Sequence, residues 1–212
     1  MARERRRRWP WVVLIALAVV LVPVAIVAVP ILTHQSGGSS GQHQSEEQWP
    51  LSATALGDDG RERRIDILPA EPGATVDTSA LVEGERLVVS GTGYDPSRGI
   101  YVAVCKIPPA GEKPGPCLGG VPSTEEGEQF EEGSVQFAPS NWINDDWAWR
   151  LFGARSYDDP ETGTFTAYIE VPSPVGEGVD CRVDECGLFT RNDHTALNDR
   201  VQDLYVPVGF AR

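Results

Sequence analysis

The sequence predicts an all-β domain of the β-sandwich class, standing behind one N-terminal apolar helix. Three observations predict it. Short runs with a two-residue hydrophobic period recur after residue 60, broken by Gly, Pro and Asp. No long amphipathic helical pattern follows residue 32. Four cysteines, Cys105, Cys117, Cys181 and Cys186, fall in the strand-rich part, and an even count in an exported domain argues disulfides.

The elements follow in chain order. Residues 1–8 form a basic tail with Arg3, Arg5, Arg6, Arg7 and Arg8. Trp9 to Leu32 is an uncharged run of 24 residues. At about 1.5 Å per residue it reaches roughly 36 Å, enough to cross a bilayer core. The arginines place the N-terminus in the cytoplasm and the remainder outside. The expectation is an uncleaved signal-anchor at 9–32, tolerant of kinks at Pro23 and Pro30. A cleaved secretory signal is the competing reading, and cleavage would release the domain. Against it, the run exceeds the roughly 7–15 residues of a signal core, and Ile26-Val27-Ala28 is a poor cleavage site. A twin-arginine signal matches only in its arginines. Residues 33–50, THQSGGSSGQHQSEEQWP, read as a flexible polar linker. The folded part is expected over 51–212, long enough for one real core.

Charge divides sharply at residue 33. Of 18 basic and 31 acidic side chains, five arginines and Glu4 precede it, leaving 13 against 30 and a net of −17. Such a surface repels phosphates, so nucleic acid is not an expected partner. High solubility outside the cell explains it as well.

Strands are expected at 63–68, 74–79, 86–94, 100–107, 134–137, 163–171, 178–181, 186–191 and 203–210. In IYVAVCKI, Tyr101, Ala103 and Cys105 face one way, and Ile100, Val102 and Val104 the other. In GTFTAYIEV, Phe165, Ala167 and Ile169 form an apolar face opposite Thr164, Thr166, Tyr168 and Glu170. Chain proximity favours Cys105–Cys117 and Cys181–Cys186 among the three possible pairings. Loops this short stabilise by about 2–3 kcal/mol each. A zinc site is the rival, but no CxxC knuckle supports it.

Two segments break the strand rhythm. Residues 120–160 hold an acidic run at 125–132, read as a solvated loop. They also hold Trp142, Trp147, Trp149, Phe152 and Tyr157. These aromatics read as a lid on one sheet or as an apolar recognition surface. Residues 181–200 begin with Cys181 and Cys186, expected to staple a hairpin, and continue through Asn192, Asp193, His194, Asn198 and Asp199. Asn and Asp suit turns, because their side chains bond nearby amides. A metal reading stays open for Asp193, His194 and Asp199, without calcium-loop spacing. No metal ligand set, cofactor site or catalytic residue is assigned, since no nucleophile motif appears. Haem would need an axial ligand such as His194, Tyr101 or Tyr205.

The order of VSGTGYDPSRGIYVAVC, a second cysteine in a Pro/Gly loop, VDCRVDEC and the closing strand DLYVPVGF resembles the neocarzinostatin family of actinobacterial apoproteins. The resemblance covers about residues 72–212, and VDC-x4-C is its sharpest element. It implies an immunoglobulin-like sandwich with two disulfides. In the family's antibiotics a cleft floored by the first disulfide cradles an enediyne chromophore. The tail NDHTALNDRVQDLYVPVGF is similar to actinobacterial surface proteins, some of which accompany haem-uptake domains. This chain departs from the antibiotics in its anchor, in its Trp-rich insertion, and in Ile107 where the family carries an aromatic.

The functional expectation is a membrane-anchored, extracytoplasmic, non-catalytic binding or envelope-interaction module. Its alternative is a carrier for a small apolar or aromatic ligand, such as an enediyne-like chromophore or haem. The candidate surface for a ligand, surface protein or glycan is Ile107, Trp142, Trp147, Trp149, Phe152 and Phe189.

Overall fold

The computed structural model describes residues 2–43, 45–120 and 136–211. The chain divides into two units, Met1–Gln35 and Ser36–Arg212. The first is helix α1 (Ala2–Thr33). Its window Trp9–Ile26 has a mean hydropathy of 2.6, and none of it is buried. That length and composition suit a membrane span or a signal sequence equally.

The second unit is an all-β sandwich. Its strands are β1 (Ser52–Leu56), β2 (Glu62–Pro69), β3 (Arg86–Thr92), β4 (Ile100–Lys106) and β5 (Ser140–Ile143). A one-turn helix α2 (Trp147–Arg150) follows. Then come β6 (Phe165–Glu170), β7 (Val175–Gly176), β8 (Val179–Asp180), β9 (Cys186–Asn192) and β10 (Leu204–Val208). One sheet runs β1-β2-β3-β6 and the other β10-β9-β4-β5, with β7-β8 as a separate hairpin. The chain changes sheets between β3 and β4, between β5 and β6, and again before β9. That is the Greek-key course of an immunoglobulin-like sandwich.

The period of two sets what faces inward. β2 contributes Ile65 and Ile67, β3 Leu87 and Val89, and β6 Phe165, Ala167 and Ile169. Facing them are Ile100, Val102 and Val104 of β4, Leu188 of β9, and Leu204, Val206 and Val208 of β10. Each large aliphatic side chain fully buried here contributes about 1.5–3 kcal/mol. Gly91 pairs with Phe165 across β3 and β6, and a Cβ there would lie 2.2 Å from the Phe165 ring. Arg63 continues the inward phase of Ile65 and Ile67 and is 1% exposed. Asp59 meets its guanidinium with two bonds of 2.9 and 2.5 Å.

Several expectations are corrected. ATVDTS (74–79) is irregular chain ending in a turn at 78–79, not strand. The run 134–137 lies partly outside the described residues, 136–137 are not strand, and the acidic run 125–132 lies wholly outside them. Three strands were not anticipated, β1, β5 and the two-residue β7. β5 is hidden because its sequence, SNWI, carries a polar core position. Asn141 points at β6, donating to the Tyr168 carbonyl at 2.9 Å and accepting from its amide at 3.0 Å. A side-chain amide thus closes the seam between the sheets. The compact unit starts at Ser36 rather than Leu51. The Gln42 side chain accepts from the Tyr205 amide at 2.8 Å and donates to its carbonyl at 2.7 Å. It caps edge strand β10 as a neighbouring strand would.

The Arg63–Asp59 pair gives the stability a pH dependence. The Arg63 guanidinium holds the Asp59 carboxyl below its ordinary range, and an unfolded Asp titrates near 3.9. The pair's contribution is therefore complete above about pH 4 and is lost as pH falls through the folded value. The thermal midpoint is expected to fall on acidification from pH 5 to pH 2. Asp59→Asn should flatten that part of the profile and cost about 3 kcal/mol at pH 7, because it strands a buried cation. Circular-dichroism melts across pH check both statements.

Candidate ligand-binding face

The outer face of the β10-β9-β4-β5 sheet is ordered by strand register. Trp142, Tyr101 and Arg191 lie side by side across β5, β4 and β9. The next row is Ser140, Ala103, Phe189 and Tyr205, and the third is Cys105, Gly187 and Pro207. Small residues at Ala103 and Gly187 lower the centre of the face. Phe189 stacks on Tyr205 with centroids 4.7 Å apart. Ile107 and Cys117 pack against Ala103, Cys105 and Phe189.

Both expected disulfides are present, Cys105–Cys117 and Cys181–Cys186. The first pins the 107–116 loop back onto β4. There the Lys106 amide donates to the Pro116 carbonyl and the Leu118 amide to the Val104 carbonyl. The second does not staple a hairpin as expected. β8 and β9 belong to different sheets, and Cys181–Cys186 closes a turn whose Val183 and Asp184 amides return to the Asp180 carbonyl. That turn is docked on the end of β4. The Ile107 amide donates to the Glu185 carbonyl at 2.9 Å, and Lys106 Nζ meets Asp184 Oδ1 at 2.6 Å.

A cleft of about 750 Å³ opens beside this turn. Its walls are Trp49, Ile107, Tyr205, Pro207, Phe210 and the stapled turn itself. Trp49 is anchored through its carbonyl, which accepts from the Thr78 hydroxyl at 3.1 Å. The sequence held one signal for this wall, a lone Trp at the end of a polar run.

The far end of the face is a second, aromatic cluster. Tyr101, Trp142 and Ala154 are buried there, with Trp149 half-buried against them. His194 sits among the rings, 4.7 Å from Trp149 and 5.2 Å from Trp142, centroid to centroid. Its Nδ1 shares a 2.8 Å hydrogen bond with the Tyr101 hydroxyl. Burial pushes the Tyr101 phenol up to about 12, so it stays protonated. Asp193 is fully buried, and each of its oxygens is used. Oδ2 accepts from the Trp142 indole and from Asn144, both at 2.9 Å. Oδ1 accepts from the Thr195 amide at 2.8 Å and the Thr195 hydroxyl at 2.5 Å. Gly99 makes room for it, since a Cβ there would lie 1.8 Å from Asp193 Oδ2. Asp193 and His194 therefore have protein partners, and no group of three or more His, Cys, Asp or Glu converges among the described residues.

The six candidate residues do not form one surface. Ile107 and Phe189 lie by the first disulfide, while Trp142 and Trp149 lie in the His194 cluster. Trp147 and Phe152 are open, 73% and 63% exposed, together with Leu151. Residues missed from the sequence are Trp49 and Phe210 at the cleft, and His194 and Asp193 as partners of the Trp cluster.

No protein-family model matches the sequence. A curated protein of Corynebacterium glutamicum, thiamine biosynthesis protein X, is 29% identical over 137 residues. The match takes in 64% of this chain and spans 61% of that relative's length. Among solved structures, macromomycin is 18% identical with a TM-score of 0.37, covering 69% of this chain and 99% of that one. A score that low carries no weight, and the sandwich assignment rests on the strand order above.

The Asp193 network predicts a local role for that carboxylate. Asp193→Ala leaves the Trp142 indole and Asn144 as buried donors without acceptors, at about 1–3 kcal/mol each. The expected result is a loss of about 2–4 kcal/mol in urea unfolding, with a red shift of tryptophan emission. Unchanged stability contradicts the network.

Proposed function

We propose that this chain is a membrane-tethered, extracytoplasmic, non-catalytic binding module that holds a small amphipathic molecule in the cleft beside the stapled turn. The observation that carries this reading is the cleft. Its volume of about 750 Å³ falls in the range of ligand pockets, roughly 300–1,000 Å³. Its walls set Trp49, Ile107 and Tyr205 beside polar side chains such as Gln42, Gln48 and Glu185, a mixture that suits an amphipathic molecule, and the disulfide and backbone bonds leave little order to be gained on binding. The tether reading is supported by the 24-residue apolar run behind five arginines, with the N-terminus inside. The outside address is supported by two disulfides and the −17 surface. Kinship with neocarzinostatin-type apoproteins belongs to the same proposal, supported by the strand course and the x4 spacing of Cys181 and Cys186. The non-catalytic reading is supported by His194, which is bonded to Tyr101 and enclosed by tryptophan rings.

Native mass spectrometry of the full chain, extracted from its host membrane, tests the cargo. A reproducible added mass that leaves on denaturation is expected, and Tyr205→Ala with Ile107→Asp should lower its occupancy at least about tenfold. Thiamine enters the screen as a probe because of the name carried by the Corynebacterium relative. A bare chain that takes up no apolar probe rules the carrier out.

A second reading has its own observation. Trp147, Leu151 and Phe152 fall within six residues of chain and are each open, 73%, 73% and 63% exposed. Exposed aromatics at one site mark recognition of a surface protein or glycan. Trp147→Ala with Phe152→Ala is expected to leave the melting temperature unchanged and to weaken retention on isolated cell envelope severalfold. Equal retention refutes this surface.

A further inference from the structure

Thirteen basic side chains lie beyond residue 32, and about half have an acid at hand. Arg63 pairs with Asp59, Arg64 with Asp66 and Arg86 with Glu170. Lys106 pairs with Asp184, Arg182 with Asp180 and Arg200 with Asp203. Arg191 and Lys113 have no ion pair among the described residues. Yet they sit together, on either side of an open pocket of about 400 Å³.

Arg191 is on the outer face of β9, its guanidinium over the Tyr101 ring at 5.4 Å. Its Nε is buried and lacks a hydrogen-bond partner. An unmade bond to a buried donor costs about 1–3 kcal/mol. Burial holds the Arg191 guanidinium below its ordinary range, against the nearby Asp203 carboxylate, which acts the other way, and with a smaller push from Arg200. Burial, then Arg191 and Arg200, act on the Lys113 ammonium in the same direction. A half-buried guanidinium and an exposed ammonium thus line one pocket. The rest of the pocket is Pro114, Gly115, Pro116 and Cys117, an apolar wall that the first disulfide fixes.

We infer that this pocket binds a small monoanionic carboxylate, with Arg191 as the planar partner of its two oxygens and Lys113 as the second positive charge. A guanidinium fork matches a carboxylate in two parallel hydrogen bonds. The proline wall accepts a short apolar or aromatic body. The choice of a monoanion follows from Asp203, which is 9% exposed and bonded to Arg200 at 2.8 Å. Its second oxygen, Oδ1, is unpartnered. That carboxyl lies close enough to act on Arg191, Lys113 and Arg200, so it offsets part of the local positive charge and opposes a doubly charged phosphoryl group more than a single carboxylate. The acidic domain as a whole repels anions, so attraction here is local rather than a general surface field.

This pocket shares no lining residue with the larger cleft, so the outcome for one does not decide the other. The test is calorimetric titration of the full chain in non-ionic detergent, at low salt. The probes are benzoate, its neutral isostere benzamide, and phenyl phosphate. Benzoate is expected to bind saturably at one site, and benzamide at least about tenfold more weakly. Lys113→Gln, a change on an exposed loop, should weaken benzoate severalfold. Arg191→Lys keeps the charge but loses the fork, and should weaken it about tenfold. Arg64→Gln should change nothing. The inference is overturned if benzoate shows no saturable binding, or if benzamide matches it. It also fails if neither Lys113→Gln nor Arg191→Lys, each melting as the parent does, alters the affinity. Phenyl phosphate binding more tightly than benzoate replaces the carboxylate by a phosphoryl ligand.

Discussion

Both faces of β4 are buried, and the rest of the domain is arranged around that constraint. Ile100, Val102 and Val104 enter the sandwich core, while Tyr101, Ala103 and Cys105 lie under the opposite surface. A strand whose side chains alternate cannot hide one set without exposing the other unless something covers it. Here the cover is built from three pieces. The first disulfide folds the 107–116 loop back over Cys105. The stapled turn docks on Lys106 and Ile107. The Trp142–Trp149–His194 cluster closes over Tyr101. Each of these pieces also borders a candidate binding feature, so the solution to a packing problem has left the clefts.

Electrostatics follow a similar economy. A net of −17 beyond residue 32 leaves few cations, and several of them brace turns. Lys106 holds the stapled turn, Arg63 holds the β1–β2 turn through Asp59, and Arg200 is bonded to Asp203. Such bridges are worth little where solvent reaches both partners and more where one partner is buried, as Arg63 is. Arg191 differs from these in having a buried Nε with no hydrogen-bond partner. Its position in the row of Tyr101 and Trp142 places a charge at the junction between the aromatic cluster and the disulfide loop.

Much of the scaffold was legible because a two-residue period survives in the strands that carry the core. β3, β4, β6, β9 and β10 read directly from their alternation, and the cysteine pairs from their spacing. The misses share a cause. β5 was obscured because Asn141, a poor strand residue, is recruited to bond the β6 backbone. Residues 36–43 read as linker because they bury little, yet Gln42 substitutes for a strand at the edge of β10. Composition registers hydrophobic burial well and side-chain mimicry of backbone poorly. The candidate site was less legible still. The large cleft joins Trp49, Ile107, the 181–186 turn and Phe210, which no local pattern relates. The aromatic residues at 142–157 looked like one surface, but Trp142 is covered by the cluster on the outer face of the sheet while Trp147, on α2, is exposed.

That split among the tryptophans bears on how the domain would recognise anything. Trp142 and Trp149 are held by Asp193, His194 and Tyr101, so they lend rigidity and have little surface to give a partner. Trp147, Leu151 and Phe152 have the surface but stand on a single turn of helix and the turn after it, where N-cap Asp146 supplies one side-chain bond, to the Ala148 amide. A ligand binding there must bear the cost of ordering the side chains, about 0.5–1.5 kcal/mol each. The cleft beside the stapled turn carries no comparable cost. Its floor is sheet, one wall is closed by a disulfide, and Gln42 fastens the opposite strap to β10. For a small molecule with few atoms to offer, the pre-formed cleft is the better site. For a large partner that contacts many residues, the exposed turn is enough.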